Sequence, residues 1–89
     1  VDNCVKQVVE TGLKNDYAFI IIADHGNADY MVNADGSPNT AHTTNLVPCI
    51  LVNTDYTAVK SGKLGDIAPT ILKLMGVEIP AEMTGNVLV

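Results

Sequence analysis

The sequence predicts an α/β fold, and three observations carry that prediction. A run of six uncharged residues, Ala18-Phe19-Ile20-Ile21-Ile22-Ala23, stops abruptly at Asp24-His25-Gly26. Branched apolar side chains without alternation, closed by a turn residue, read as a strand buried on both faces. Before it, Val1, Val5, Val8, Val9 and Leu13 recur at helical spacing, with Lys6, Gln7, Glu10 and Lys14 between them. That pattern makes an amphipathic helix lying against a sheet. After it, a second apolar run at Cys49-Ile50-Leu51-Val52 precedes Ile67, Ala68, Ile71, Leu72 and Met75 on one helical face.

In chain order, the helix is expected over residues 2–13, Asn15-Asp16 as a turn and the first strand over 18–23. From Gly26 to Asn45 there is no long apolar period. Tyr30-Met31-Val32 reads as a short strand, and Asn33 to Asn39 is dense in turn formers, so a hairpin across 30–42 with Asp35-Gly36 at its tip is expected. A second strand follows from Pro48 to Asn53, then a polar loop from Thr54 to Gly65. Asp66 opens a helix over 66–75 with Pro69 in its first turn, where a missing N–H costs little, and Gly76 ends it. The tail from Val77 is irregular apart from Val87-Leu88-Val89. The direction of the second strand relative to the first stays open, because the connection between them lacks a clear crossover helix.

With 89 residues the chain holds one domain at most. It opens on Val1 rather than methionine and stops just after an apolar triplet, so both ends read as cut and a part of something larger is expected. Its 47% apolar content excludes disorder. No apolar run approaches the ~18 residues of a membrane span and no leader is visible, so no membrane partner is expected. Ten acids against five lysines give a formal charge of −5, which argues against nucleic-acid binding. There is no arginine, the usual planar clamp for phosphate and carboxylate, so an anionic substrate would need residues from elsewhere. Cys4 and Cys49 read as reduced small hydrophobes of a cytoplasmic protein.

The chemistry concentrates at Asp24 and His25. In open α/β sheets functional groups gather beyond the carboxyl ends of strands, and a carboxylate beside an imidazole makes a pair of ligands for a divalent metal. The blander reading makes Asp24 a turn cap and His25 a surface histidine. His42 lies among Thr40, Thr43 and Thr44, hydroxyls that could orient its ring or merely satisfy a bent backbone. Its spacing from His25 matches no zinc-finger or zincin pattern. Asp29 and Asp35 fit turn-forming roles. No nucleophile elbow, P-loop or dinucleotide fingerprint is present, and neither Ser37 nor Ser61 looks activated. The residues by themselves amount to an incomplete metal site.

Four segments carry a resemblance. Ala23-Asp24-His25-Gly26-Asn27-Ala28-Asp29 resembles the ADHGNA[ED] motif of the cofactor-independent phosphoglycerate mutases, and Thr40-Ala41-His42-Thr43-Thr44-Asn45 with Val47-Pro48 resembles their TAHTTNPVP segment. Leu64-Gly65-Asp66-Ile67-Ala68-Pro69-Thr70 is similar to their LADIAPT, and Pro80 to Gly85 to their PAEMTG. The segments stand in the family's order and span nearly the whole chain. One departure is Leu46, where the family often has proline.

The resemblance implies that residues 1–89 are the C-terminal part of the metal-binding phosphatase domain, a three-layer α/β/α fragment of an alkaline-phosphatase-like fold. It implies an enzyme that interconverts 3-phosphoglycerate and 2-phosphoglycerate through a phosphoserine with two Mn2+ ions. Carried over by motif position, Asp24 and His25 would bind the ion that also touches the serine, and His42 the second ion. The serine, the remaining ligands and the arginine-bearing phosphotransferase domain would lie upstream, so this stretch alone is expected to be inactive. A monomeric cytoplasmic enzyme is implied. Two rivals stand beside it. One is another metal-dependent phosphomutase or phosphatase of the superfamily, such as phosphopentomutase, whose later histidine sits in a DHT-type segment. The other is a non-catalytic α/β module that keeps the scaffold.

Overall fold

The computed structural model describes residues 1–89. Helix α1 spans Asp2–Lys14, with an acid in its first turn and a lysine in its last, both favourable to the helix dipole. It ends where the Tyr17 N–H donates back to the Gly12 carbonyl at 2.9 Å. Gly12 is buried, and a Cβ there would overlap the Phe19 ring. The missing side chain lets the last turns of α1 lie close against the sheet.

Strands β1 (Phe19–Ile22) and β2 (Cys49–Val52) form a two-stranded sheet. They run antiparallel, which resolves the direction left open by the sequence. The pairings Phe19 with Val52 and Ile22 with Cys49 are followed outward by isolated bridges of Gly26 with Thr43 and Val32 with Pro38. Each pairing nests inside the one before, so residues 19–52 make one long, interrupted hairpin. That is why no crossover helix is needed.

Its tip is the expected one. The Gly36 N–H donates to the Asn33 carbonyl at 2.9 Å, Gly36 has φ 86°, and the Asp35 carboxylate accepts the Ser37 N–H at 2.9 Å. Tyr30-Met31-Val32 does not form the expected strand; the single bridge at Val32 is all that pairs there. The opposite end of the hairpin is closed by two left-handed residues, Asp16 (φ 59°) and Asn53 (φ 58°). Acid and amide side chains tolerate that conformation, and the Asn53 amide donates to the Tyr17 carbonyl at 2.9 Å.

A 3-10 turn at Leu64–Asp66 runs directly into α2 (Ile67–Met75), which stops at left-handed Gly76 (φ 70°) as expected. Asp66 does not cap α2 as a helix-opening residue would. Its carboxylate instead accepts the Lys63 N–H and the Asn86 N–H, both at 2.9 Å. Thr70 donates to the Asp66 carbonyl at 2.7 Å and accepts the Leu88 N–H at 3.0 Å. Thr70 is 1% exposed and Leu88 5%, and together with Asp66 and Pro69 they form the most buried part of the molecule. The C-terminal tail, though irregular, is therefore pinned.

The expectation of a strand buried on both faces needs correcting. Ile22 is 40% exposed, and on β2 Ile50, the partner of Ile21, is 48% exposed. The cause is geometric. The sheet has two strands, and the apolar grooves beside it stay open: one between β1 and Cys4, Val5, Val8 and Val9 of α1, another between β1 and Ile71, Leu74 and Met75 of α2.

Candidate metal centre on the long hairpin

The site grows from the first pairing beyond the sheet. Across the Gly26–Thr43 bridge, the Thr43 N–H donates to the Gly26 carbonyl at 2.8 Å and the Gly26 N–H to the Thr43 carbonyl at 3.3 Å. Side chains alternate across a strand, so the residues just before each bridge partner share a face opposite to that of the partners themselves. Those residues are His25 and His42. Their rings stack with centroids 3.4 Å apart and planes 13° from parallel.

Beside them stands Asp24, exposed at the end of β1, its Oδ1 3.6 Å from His25 Nε2. This is too long for a hydrogen bond. It is the spacing that two ligands of one tetrahedral ion would have with bonds of about 2.0–2.2 Å. His25 Nδ1 lies 3.0 Å from the Gly26 carbonyl oxygen. An Nδ1–H donated there fixes the tautomer and leaves the Nε2 lone pair facing Asp24, the arrangement that metal-binding histidines favour. The donor set of one carboxylate and two imidazoles therefore suits a divalent ion. The structure brings Asp24, His25 and His42 to one patch, but no three acidic, histidine or cysteine side chains close around a single point.

On the other face of the bridge lies a network whose extent the sequence reading missed. Thr43 Oγ1 is 3.1 and 3.0 Å from the two Asp29 carboxylate oxygens and donates to that group, and the Asn45 amide donates to Asp29 Oδ2. The Asn45 amide, with the Thr43 hydroxyl behind it, holds the Asp29 carboxyl below the ordinary carboxylate range. Asp29 is thus more than the turn former expected. A Cβ on Gly26 would fall on the Thr43 hydroxyl and within 2.7 Å of Asp29 Oδ1, so this glycine is what lets the network nest behind the histidines. A signal for it was present: a hydroxyl and an amide two residues apart on the returning arm share a face. None of Thr40, Thr43 and Thr44 bonds the His42 ring through its hydroxyl; Thr43 is spent on Asp29.

Comparison with known proteins identifies the larger group. The metalloenzyme superfamily model matches residues 1–79, which include the whole hairpin and both helices. The chain belongs to the metalloenzyme superfamily. It is 61% identical over 84 residues (94% of the chain) to the 2,3-bisphosphoglycerate-independent phosphoglycerate mutase of Flavobacterium johnsoniae. It is 57% identical over its full length to the mutase of that name from Bacteroides thetaiotaomicron, and 54% identical over its full length to that of Akkermansia muciniphila. The chain spans 17–18% of the length of these relatives. Membership in the metalloenzyme superfamily carries metal dependence with it, and Asp24, His25 and His42 are the side chains here whose chemistry fits a metal.

Proposed function

We propose that this chain is the C-terminal part of the phosphatase domain of a cofactor-independent phosphoglycerate mutase, a three-layer α/β/α unit when complete. In that enzyme 3-phosphoglycerate and 2-phosphoglycerate interconvert by way of a phosphoserine whose residue lies outside residues 1–89. The observation that carries the reading is the patch of Asp24, His25 and His42, set within segments that match such mutases at 54–61% identity.

In this reading Asp24 and His25 hold one divalent ion, His42 holds a second, and Mn2+ is the ion we assign. When bound, two such ions would supply positive charge beside the transferring phosphoryl group and the attacking hydroxyl. The contribution of this chain is placement. The Gly26 carbonyl holds the His25 ring with Nε2 outward, and the bridge to Thr43 brings the His42 arm beside it. The chain has no arginine to clamp the substrate phosphate bidentately, and this reading gives that task to residues outside it. No helix is long and apolar enough to cross a membrane. A cytoplasmic, monomeric enzyme belongs to this proposal through the likeness to the mutases alone.

The test is made in the full-length protein. His25→Ala and His42→Ala should each bind less Mn2+ by calorimetry and lose at least about a hundredfold in 3-phosphoglycerate turnover, since each removes a ligand of the ions that stabilise transfer. Turnover and Mn2+ stoichiometry near wild type in both variants would overturn the assignment.

A further inference from the structure

Two arms of the hairpin carry the candidate ligands, and nothing covalent near the site holds one arm to the other. Asp24 and His25 lie on the outgoing arm, His42 on the returning one. The sheet pairing ends at Ile22 with Cys49, and between there and Val32 with Pro38 the only ladder contact is the Gly26–Thr43 bridge. Nearer the tip the arms are tied again by Asn39, whose N–H donates to the Met31 carbonyl at 2.8 Å and whose amide donates to the Tyr30 carbonyl at 2.7 Å. At the level of the histidines themselves the backbone supplies one bridge, and a one-residue slip there would turn a histidine to the opposite face.

The second connection at this level is the Asp29 carboxylate. It belongs to the outgoing arm and takes its donors, Thr43 and Asn45, from the returning arm. Both donors sit on the face opposite His42, and the carboxylate nests where Gly26 lacks a side chain, directly behind the histidine stack. We infer that Asp29 is a positioning residue: its carboxylate locks the register of the two arms, so that His25 and His42 present their nitrogens to metal together. It touches neither metal nor substrate, and it acts through Thr43 and Asn45.

The chemistry asks for a carboxylate at this place. Asp29 must accept a hydroxyl proton from Thr43 and an amide proton from Asn45, and an ionised acid offers acceptors only. An asparagine could place its one oxygen where Asp29 Oδ2 now accepts from both donors, but it would lose the second contact to the Thr43 hydroxyl as an acceptor and the charge that strengthens both hydrogen bonds. Glutamate has the same acceptors on a longer stem, and the open, exposed side of the turn leaves room for that stem to fold.

This inference rests on the metal reading of Asp24, His25 and His42, and the test separates the two. Mn2+ is titrated calorimetrically into the metal-stripped full-length protein and into Asp29→Ala, Asp29→Asn, Asp29→Glu, Asn45→Ala and His25→Ala, each checked for native far-UV dichroism. Asp29→Ala should weaken Mn2+ binding by about 10- to 100-fold, the usual cost of losing a group that orients a ligand, and Asp29→Asn, which keeps one acceptor for both donors, by less. The Mn2+ concentration for half-maximal activity should rise in step, with kcat at saturating Mn2+ largely kept. Asn45→Ala should show a smaller loss, and Asp29→Glu should recover most of the affinity. Wild-type affinity in both Asp29→Ala and Asn45→Ala, with His25→Ala impaired, would overturn the role of Asp29 alone. A loss shared equally by Asp29→Glu would also overturn it, since the carboxylate would then not be what matters. Wild-type affinity in His25→Ala would overturn the metal reading and this inference with it.

Discussion

Gly26 is the residue on which both faces of the site depend. Its backbone makes the bridge to Thr43, its carbonyl orients His25, and the space beside its Cα is filled by the Thr43 hydroxyl and the Asp29 carboxylate. Gly26→Ala should therefore cost about 1–3 kcal/mol, the range for forcing extra volume into a packed place. Gly36→Ala is the control, because a Cβ there meets open space and pays only for its positive φ. Chemical denaturation of the full-length variants checks this, and equal costs at the two positions would show that the Asp29 network does not crowd Gly26. Asp24 and His25 were legible in the sequence because a carboxylate and an imidazole together break sharply with the apolar strand they end. Asp29 was not, since an acid among glycine and asparagine is ordinary turn chemistry, and its partners are 14 and 16 residues away.

Among the elements, the turn into α2 and the C-terminal tail form one hydrogen-bonded unit. Asp66 takes the Lys63 and Asn86 N–H groups, Thr70 takes that of Leu88, and the Leu88 carbonyl accepts the Lys60 N–H at 2.8 Å. Glycines make the approach possible, as a Cβ on Gly85 would collide with the Gly65 carbonyl and one on Gly62 with Leu88. The Lys63 N–H, followed by that of Asn86, holds the Asp66 carboxyl below its ordinary value. A lowered folded pKa stabilises the fold fully above the unfolded value, near 3.9, and the contribution disappears as pH falls through the folded pKa beneath it. Asp66→Asn, whose amide turns a donor toward a donor, should thus lower the urea midpoint of the full-length protein at neutral pH. The gap from wild type should narrow below about pH 4. A gap that stays constant to the acid limit of folding would show that ionisation of Asp66 is not what holds the unit. The helices, the hairpin tip and the Gly76 stop were readable from local pattern. The tail was not, because its hold comes from backbone groups, and those leave no trace in side-chain periodicity.

For the whole molecule, shape and burial say the same thing. The radius of gyration is 16.1 Å, against about 12 Å for a compact domain of this length. The extents are 50 × 34 × 20 Å, and 5 of 89 residues are buried. Marginal stability in a small domain depends on removing apolar surface from water. Here Val5, Val8, Ile22, Ile71 and Met75 remain substantially exposed along the grooves between the helices and the sheet, and Ile50 beside the loop that follows β2. Local hydrogen bonding is well satisfied all the same, with no buried side-chain polar atom left unpaired. Such a balance favours secondary structure without a cooperative core. The 89-residue chain, prepared alone, should then show helical far-UV dichroism, bind the dye ANS through its open grooves and melt over a broad range rather than in one sharp transition. Adding Mn2+ should not sharpen the melt, because three donors that do not close around one point bind too weakly to drive folding by mass action. A steep two-state transition without dye binding would mean that the grooves close in solution and that the open form is not the stable one. If Mn2+ alone produced that transition, the hairpin site would hold metal with no help from the rest of a longer protein, and the arms would already be locked as tightly as the Asp29 network permits.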